Sequence, residues 1–234
     1  MDALSVAQLC AREYQDILYE RVALLPGSNN VANWLEYLND AQRAIVLVRP
    51  DAGAENIVFK LDPGTRQKLP PRGVRLLDVS RNMGIDGQHP GDVIMFAEKE
   101  SQDMVARSWH SGKQGTVIRD AFYNDKKNPY IFWVSPPVHD TIPVFIEAEV
   151  ACTPADVVNL DAGTKINLSD IYAVAMQQWM LYRAHALATQ AQYQFARAQF
   201  YFSSFFNTLG IKTRTDMFFA AGGKGAFPAQ GAPG

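Results

Sequence analysis

The sequence predicts an α+β fold, with helical segments at both chain ends, an antiparallel β-sandwich or open barrel between them, and an extended C-terminal tail. Three observations predict it. Apolar residues recur at helical spacing near both ends of the 234-residue chain. In the middle they switch to short alternating runs punctuated by proline and glycine. The closing stretch, TRTDMFFAAGGKGAFPAQGAPG, is too rich in Gly, Ala and Pro to build a core. The corresponding divisions are 1–53 (helical, first part), 54–160 (β), 161–212 (helical, second part) and 213–234 (tail).

The first helix is predicted over 5–25, with Val6, Leu9, Cys10, Tyr14, Ile17 and Leu18 on its apolar face and Ser5 as N-cap. Pro26-Gly27-Ser28 breaks the pattern. NWLEYLNDAQRAIVLVRPD follows, placing Val31, Trp34, Leu35, Leu38, Ala41, Ile45 and Val48 on one stripe. Asn33 and Glu36 have capping-box spacing, although Ser28 or Asn30 could start the helix earlier. Pro50 stops it, because a residue before proline is pushed out of the helical region.

Beyond Gly53, strands are predicted at 57–61, 65–69, 74–82, 92–96, 116–123, 130–135 and 142–152, with Asp62-Pro63-Gly64 as a turn. Ile142, Val144, Ile146, Ala148, Val150 and Cys152 alternate against Phe145, Glu147, Glu149 and Ala151, the period of a half-buried strand. Tyr130 to Val134 is apolar on both faces, and Pro136-Pro137 is expected to end it. Residues 101–110 allow one or two helical turns. Helix returns from Ile171 to about Ala188 behind Ser169, and again from about Ala191 to Leu209, with Gly210 as the C′ residue. Residues 193–206 hold seven aromatics, too many for one core stripe, so part of that surface should meet something else. The tail carries Met217, Phe218, Phe219 and Phe227; these anchors favour ordering against a partner over a plain disordered end.

Catalytic chemistry is hard to find. His89, His110, His139 and His185 are scattered without metal-ligand spacing, and no G-x-S-x-G nucleophile elbow is present. The glycine-lysine stretches at 112–116 and 222–225 lack phosphate-loop spacing. Glu147 and Glu149 could suggest glycoside hydrolysis, but a wet strand face explains them more simply. Asp78, Asp86, Asp92, Asp120 and Asp125 lack the spacing of a calcium loop. The net charge of −2 argues against a dedicated nucleic-acid binder. Cys10 and Cys152 read as reduced, buried thiols. The longest aliphatic run, Ala44 to Val48, cannot span a bilayer, and MDALSVAQLCARE lacks the form of a signal peptide. No enzyme, cofactor or metal is expected.

Trp34-Leu35-x-Tyr37-Leu38-Asn39-Asp40-Ala41-Gln42-Arg43-Ala44-Ile45, followed by Arg49-Pro50-Asp51, resembles the N-terminal helix of the phage head–tail adaptor proteins, similar in plan to the tubular adaptor of short-tailed phages. Gly64-Thr65-Arg66-Gln67-x-Leu69-Pro70, Gly73-Val74-Arg75-Leu76-Leu77-Asp78-Val79 and Tyr130-x-Phe132-x-Val134-x-Pro136-Pro137 follow in the family's order. So do Ile166-x-Leu168-x-Asp170-Ile171-Tyr172 and Leu181-Tyr182-Arg183-Ala184; the likeness covers about 5–210 and weakens at 80–119 and after Gly210. The resemblance implies one helical bundle made from both chain ends, with the β domain inserted. It implies a structural virion protein at the head–tail junction: a ring of twelve copies joining portal to tail nozzle, with genomic DNA passing through the lumen. Partners would be the chain itself, the portal protein, the nozzle and, as a further candidate, tail fibres; assembly would take place in the host cytoplasm. Met217, Phe218, Phe219 and Phe227 would dock the tail on the portal. Trp34, Asn39, Asp40, Arg43, Tyr182, Arg183, Phe200, Phe202 and Phe205 would make subunit or interhelix contacts. The alternatives are a fibre- or baseplate-type binding module and a wall-degrading glycosidase.

Overall fold

A computed structural model of the chain describes residues 1–18, 29–124, 127–187 and 192–222. The predicted break at Pro26-Gly27-Ser28, and Asp125, lie outside the described residues. The chain forms an α+β structure with five α-helices and two β-sheets among the described residues. It divides into two units, residues 1–44 with 157–234, and residues 45–156.

The first unit is helical. Helix α1 (Ala3–Leu18) buries Ala3, Val6, Ala7, Cys10 and Ala11, the three-and-four spacing of one helix face. Leu9 is off that face and exposed, unlike its predicted role in the core. The cap also differs: Asp2 Oδ2 accepts from Ser5 N at 3.0 Å and from Ser5 Oγ at 2.8 Å, so Asp2, not Ser5, starts the helix. Helix α2 (Asn29–Val48) begins four residues before the Asn33 cap and buries Trp34, Tyr37, Leu38 and Ala41. A 3₁₀ turn at Asp170–Tyr172 leads into α4 (Ala173–Leu187), so the α-helix starts later than Ile171. Ser169 contributes no side-chain cap; its carbonyl accepts from Tyr172 N at 3.1 Å instead. Helix α5 (Gln192–Gly222) runs straight through Gly210. Residues 213–222 are therefore helical where an extended tail was expected.

The second unit contains the sheets. Strands β1 (Ala54–Lys60), β7 (Phe145–Cys152) and β3 (Gly73–Asn82) form an antiparallel sheet in the order β1-β7-β3. Strands β2 (Gly64–Lys68), β6 (Ile131–Val138), β5 (Asp120–Tyr123) and β4 (Met95–Glu98) form the other, in the order β2-β6-β5-β4. Neither closes into a barrel. The β4–β5 pair is parallel, a departure from the all-antiparallel expectation. The long connection between them, which includes α3 (Lys99–Val105), lets the chain return in the same direction.

Both sheets contribute to one apolar cluster that includes Val79, Ile146, Ala148 and Val150 from the first and Ala121, Phe132, Val134 and Val138 from the second. The period-two pattern of β7 is realised: Ile146, Ala148, Val150 and Cys152 face this core, and burying Phe132 alone stabilises by roughly 1.5–3 kcal/mol. Pro136 and Pro137 do not end β6, which continues to Val138. Proline lacks a donor but keeps its acceptor, and the Ser135 and Pro137 carbonyls accept from Arg119 N and Gly115 N at 2.8 and 2.9 Å. The turn between β1 and β2 has Gly64 at φ +89°, which favours glycine. Gln67 braces it from inside, accepting from Asp62 N at 2.7 Å and donating to Asp62 O at 2.8 Å.

Candidate interaction surfaces

Helices α4 and α5 lock together through aromatic rings. Trp179 meets Phe205 at 4.8 Å and Tyr182 at 5.2 Å, and Tyr182 meets Phe202 at 5.1 Å between ring centroids. The buried stripe of α5 is Ala198, Tyr201, Phe205 and Leu209, again at three-and-four spacing. Phe195, Phe202 and Phe206 sit beside it on one flank, 64, 40 and 42% exposed. Phe200 is also exposed but points to the opposite side. Of the seven aromatics in 193–206, Tyr201 and Phe205 fill the core, Phe195, Phe202 and Phe206 make an apolar flank, Phe200 lies on the other side, and the side chain of Tyr193 is outside the described residues.

A second aromatic group joins α1 to this pair. His185 stacks on Tyr201 with centroids 5.5 Å apart and lies 5.1 Å from Tyr14. The Tyr201 hydroxyl donates to Glu13 Oε1 at 2.6 Å; burial and that carboxylate push its pKa up, so it remains a donor. Cys10 lies 3.9 Å from Met180 Sδ, with burial raising its pKa, and it and Cys152 are both free and buried.

The other predicted residues fall as follows. Trp34 is buried between Tyr14 and Tyr37, at 6.0 and 5.8 Å. Asn39 clamps the Val157 backbone, donating to its carbonyl at 3.0 Å and accepting from its N–H at 2.8 Å. Gln42 steadies that clamp with a 3.1 Å bond to Asn39 Oδ1. Asp40 pairs with Arg43 at 3.5 Å and with Arg183 at 3.1 Å, and the Arg183 guanidinium sits 5.9 Å from the Tyr37 ring centroid. Trp34, Asn39, Asp40, Arg43, Tyr182, Arg183 and Phe205 are therefore tied within the helical unit; Phe202 packs on Tyr182 and Trp179 while leaving part of its ring exposed, and Phe200 faces outward. Met217, Phe218 and Phe219 fall on the backbone of α5; their side chains, and Phe227 altogether, lie outside the described residues.

In the sheets, Glu147 is ion-paired with Arg81 at 2.6 Å, a partly exposed contact worth about 0–1 kcal/mol. It is a strand-face pair and not a carboxylate poised for acid catalysis. The histidines stay apart, His89 against Asp86 and His110 against Thr65. Among the described residues no group of His, Cys, Asp and Glu is arranged to hold a metal, and no helix is long and apolar enough to cross a membrane.

Among known protein families, residues 1–225 match the SU10 adaptor protein. The chain belongs to that family. A comparison with individually curated proteins finds no match. The SU10 adaptor family is one of phage structural proteins, so the chain is a virion component and not an enzyme, and the glycosidase alternative is set aside. An adaptor associates with other virion proteins. Sequence reasoning did not find Gln67 as a turn brace, nor Asn82, whose amide donates to Asp92 O and Ile118 O at 3.0 and 2.8 Å. A glutamine just past a Pro-Gly turn was a readable signal. Asn82 had none, because Ile118 is remote in sequence.

Proposed function

We propose that the chain is the head–tail adaptor of a tailed phage: twelve copies form a ring that joins the portal to the tail nozzle and leaves a lumen for the genome. In this reading both chain ends build the ring-forming helical domain, the β domain being inserted between them, and residues 213–234 dock on the portal. A ring is a head-to-tail assembly in which each copy offers two different complementary surfaces. The observation that carries the proposal is the aromatic flank of α5, where Phe195 is mostly exposed and Phe202 and Phe206 are partly so beside a filled core. Phe200 supplies apolar surface on the other side of the same helix. The small net charge of −2 suits a conduit, because a basic lumen would grip the phosphates of passing DNA.

Deleting 213–234 tests the docking role. The truncated protein is expected to remain folded and soluble but to fail to join DNA-filled heads. Infectious particles completed with truncated protein would refute it. The mass of the native assembly tests the ring separately, since a fibre- or baseplate-type module would be trimeric or monomeric.

A further inference from the structure

One segment of the β-containing unit is held differently from everything around it. The chain leaves the second sheet after Glu98, the last residue of β4, and rejoins it at Gly115, whose N–H donates to Pro137 O at 2.9 Å. In between, the backbone bonds outside α3 close on the segment itself. Ala106 N donates to Gln102 O, Trp109 N to Ala106 O, Ser111 N to Ser108 O and Gly112 N to Trp109 O, at 3.0, 3.2, 3.1 and 3.4 Å. Among the described residues, no backbone–backbone bond runs from 99–112 to the sheet.

Side chains alone make that connection. Lys99 Nζ lies 5.0 Å from the ring centroid of Trp133. Thr65 Oγ1 and His110 Nδ1 are 2.9 Å apart. Glu100 accepts from Asn124 and from Lys127, the latter at 3.3 Å. Trp109, the one buried residue among 99–117, rests on Phe122 with centroids 5.1 Å apart. Asp103 is the hub inside the segment, accepting from Lys99 at 2.5 Å and from Trp109 Nε1 at 3.1 Å. Met104 and Val105, by contrast, bury almost nothing at 82 and 85% exposure. Phe122 and Trp133 alternate with Ala121, Phe132 and Val134 of the core, so the segment covers the opposite face of the sheet.

We infer that residues 99–112 form a strap that detaches from this face as one unit while both sheets stay folded. Few buried apolar contacts and a self-contained backbone are the physical marks of a region that opens below the global unfolding free energy. Both ends are anchored, at β4 and at Gly115. A Cβ on Gly115 would lie 2.6 Å from Pro136 Cγ, so that anchor is tight. The face therefore exists in two forms: closed with Trp109 seated, and open with Phe122 and Trp133 in water.

Thiol trapping tests this on the full chain, with the two buried native cysteines as internal controls. A cysteine placed by Phe122→Cys should react with a thiol reagent at least about 100-fold faster than Cys152, which reports opening of the core. Adding Asp103→Ala should speed the reaction at position 122 about tenfold and leave Cys152 unchanged. Equal rates at position 122 and Cys152, or acceleration of both by Asp103→Ala, would overturn the strap. Because Phe122→Cys itself removes part of the seat, hydrogen exchange on the unsubstituted chain is the second measurement. Amides of 99–112 should open together, ahead of β6 and β7; opening in step with those strands would also overturn it.

Discussion

Asn82 shows how one side chain can replace a strand neighbour. Its Oδ1 accepts from Ile118 N at 2.8 Å while its amide group donates to Ile118 O, so it reads that backbone as a β-bridge would. Asn39 does the same for Val157, and Gln67 does it for Asp62. Each amide has the donor and acceptor that a peptide group offers, on a stem that can reach past the strand. Asn82 is 5% exposed, so no solvent stands ready to replace it. Asn82→Ala is expected to cost about 2–4 kcal/mol, the penalty of two or three buried polar groups left unmet. Asn82→Asp should be no better, because a carboxylate oxygen would face the carbonyls of Asp92 and Ile118. Urea denaturation measures both; an unshifted midpoint for Asn82→Ala would mean that the clamp adds nothing to stability.

At the scale of elements, the clearest difference between expectation and structure is Gly210. A glycine after an apolar stripe reads as a C′ stop, yet α5 continues through it to Gly222. The two readings predict opposite effects of Gly210→Ala. In a helix interior with open space at the Cβ position, alanine should stabilise α5 by up to about 1 kcal/mol and raise its helical circular dichroism. At a left-handed C′ position it would destabilise. The strap offers a second prediction through three titrating groups. Asp103 is held below its ordinary range by hydrogen bonds from Lys99 and Trp109, and Glu100 by its own amide and Lys127. Burial, aided by the Lys99 charge, lowers His110. In all three the closed form prefers the unprotonated group, so closure is complete above the ordinary histidine pKa. It weakens as pH falls, first as His110 takes up a proton and then through the carboxylates. Acid should therefore red-shift the Trp109 fluorescence while the far-ultraviolet dichroism holds, and Asp103→Asn should shrink the lower step to the part that Glu100 carries. A single coincident acid transition in both signals would contradict separate opening.

For the whole molecule, what was legible was whatever is written in local periodicity. Helical stripes and the alternation of β7 showed an α+β chain, because burial on one face imposes a period of 3.6 or 2. The parallel β4–β5 pair, the Asn82 clamp and the Trp109 plug were not legible. Each depends on partners brought together by topology, and nothing near them in sequence marks the pairing. The candidate surface was half legible: seven aromatics in 193–206 signalled an excess, but only the structure separates Phe205, fully buried, from Phe202 and Phe206. That separation gives the last prediction. Phe205→Ser removes a core ring and should destabilise the chain by about 3–5 kcal/mol, lowering its soluble yield. Phe202→Ser with Phe206→Ser strips only partly exposed rings and should shift the melting temperature far less. If the flank of α5 meets a neighbouring virion protein, that folded double variant should nevertheless fail to complement a phage lacking its own copy. Full plating efficiency from a double variant of normal stability would show that assembly does not use this flank, and would leave Phe200, on the other side of the helix, as the exposed aromatic of α5 available for the contact.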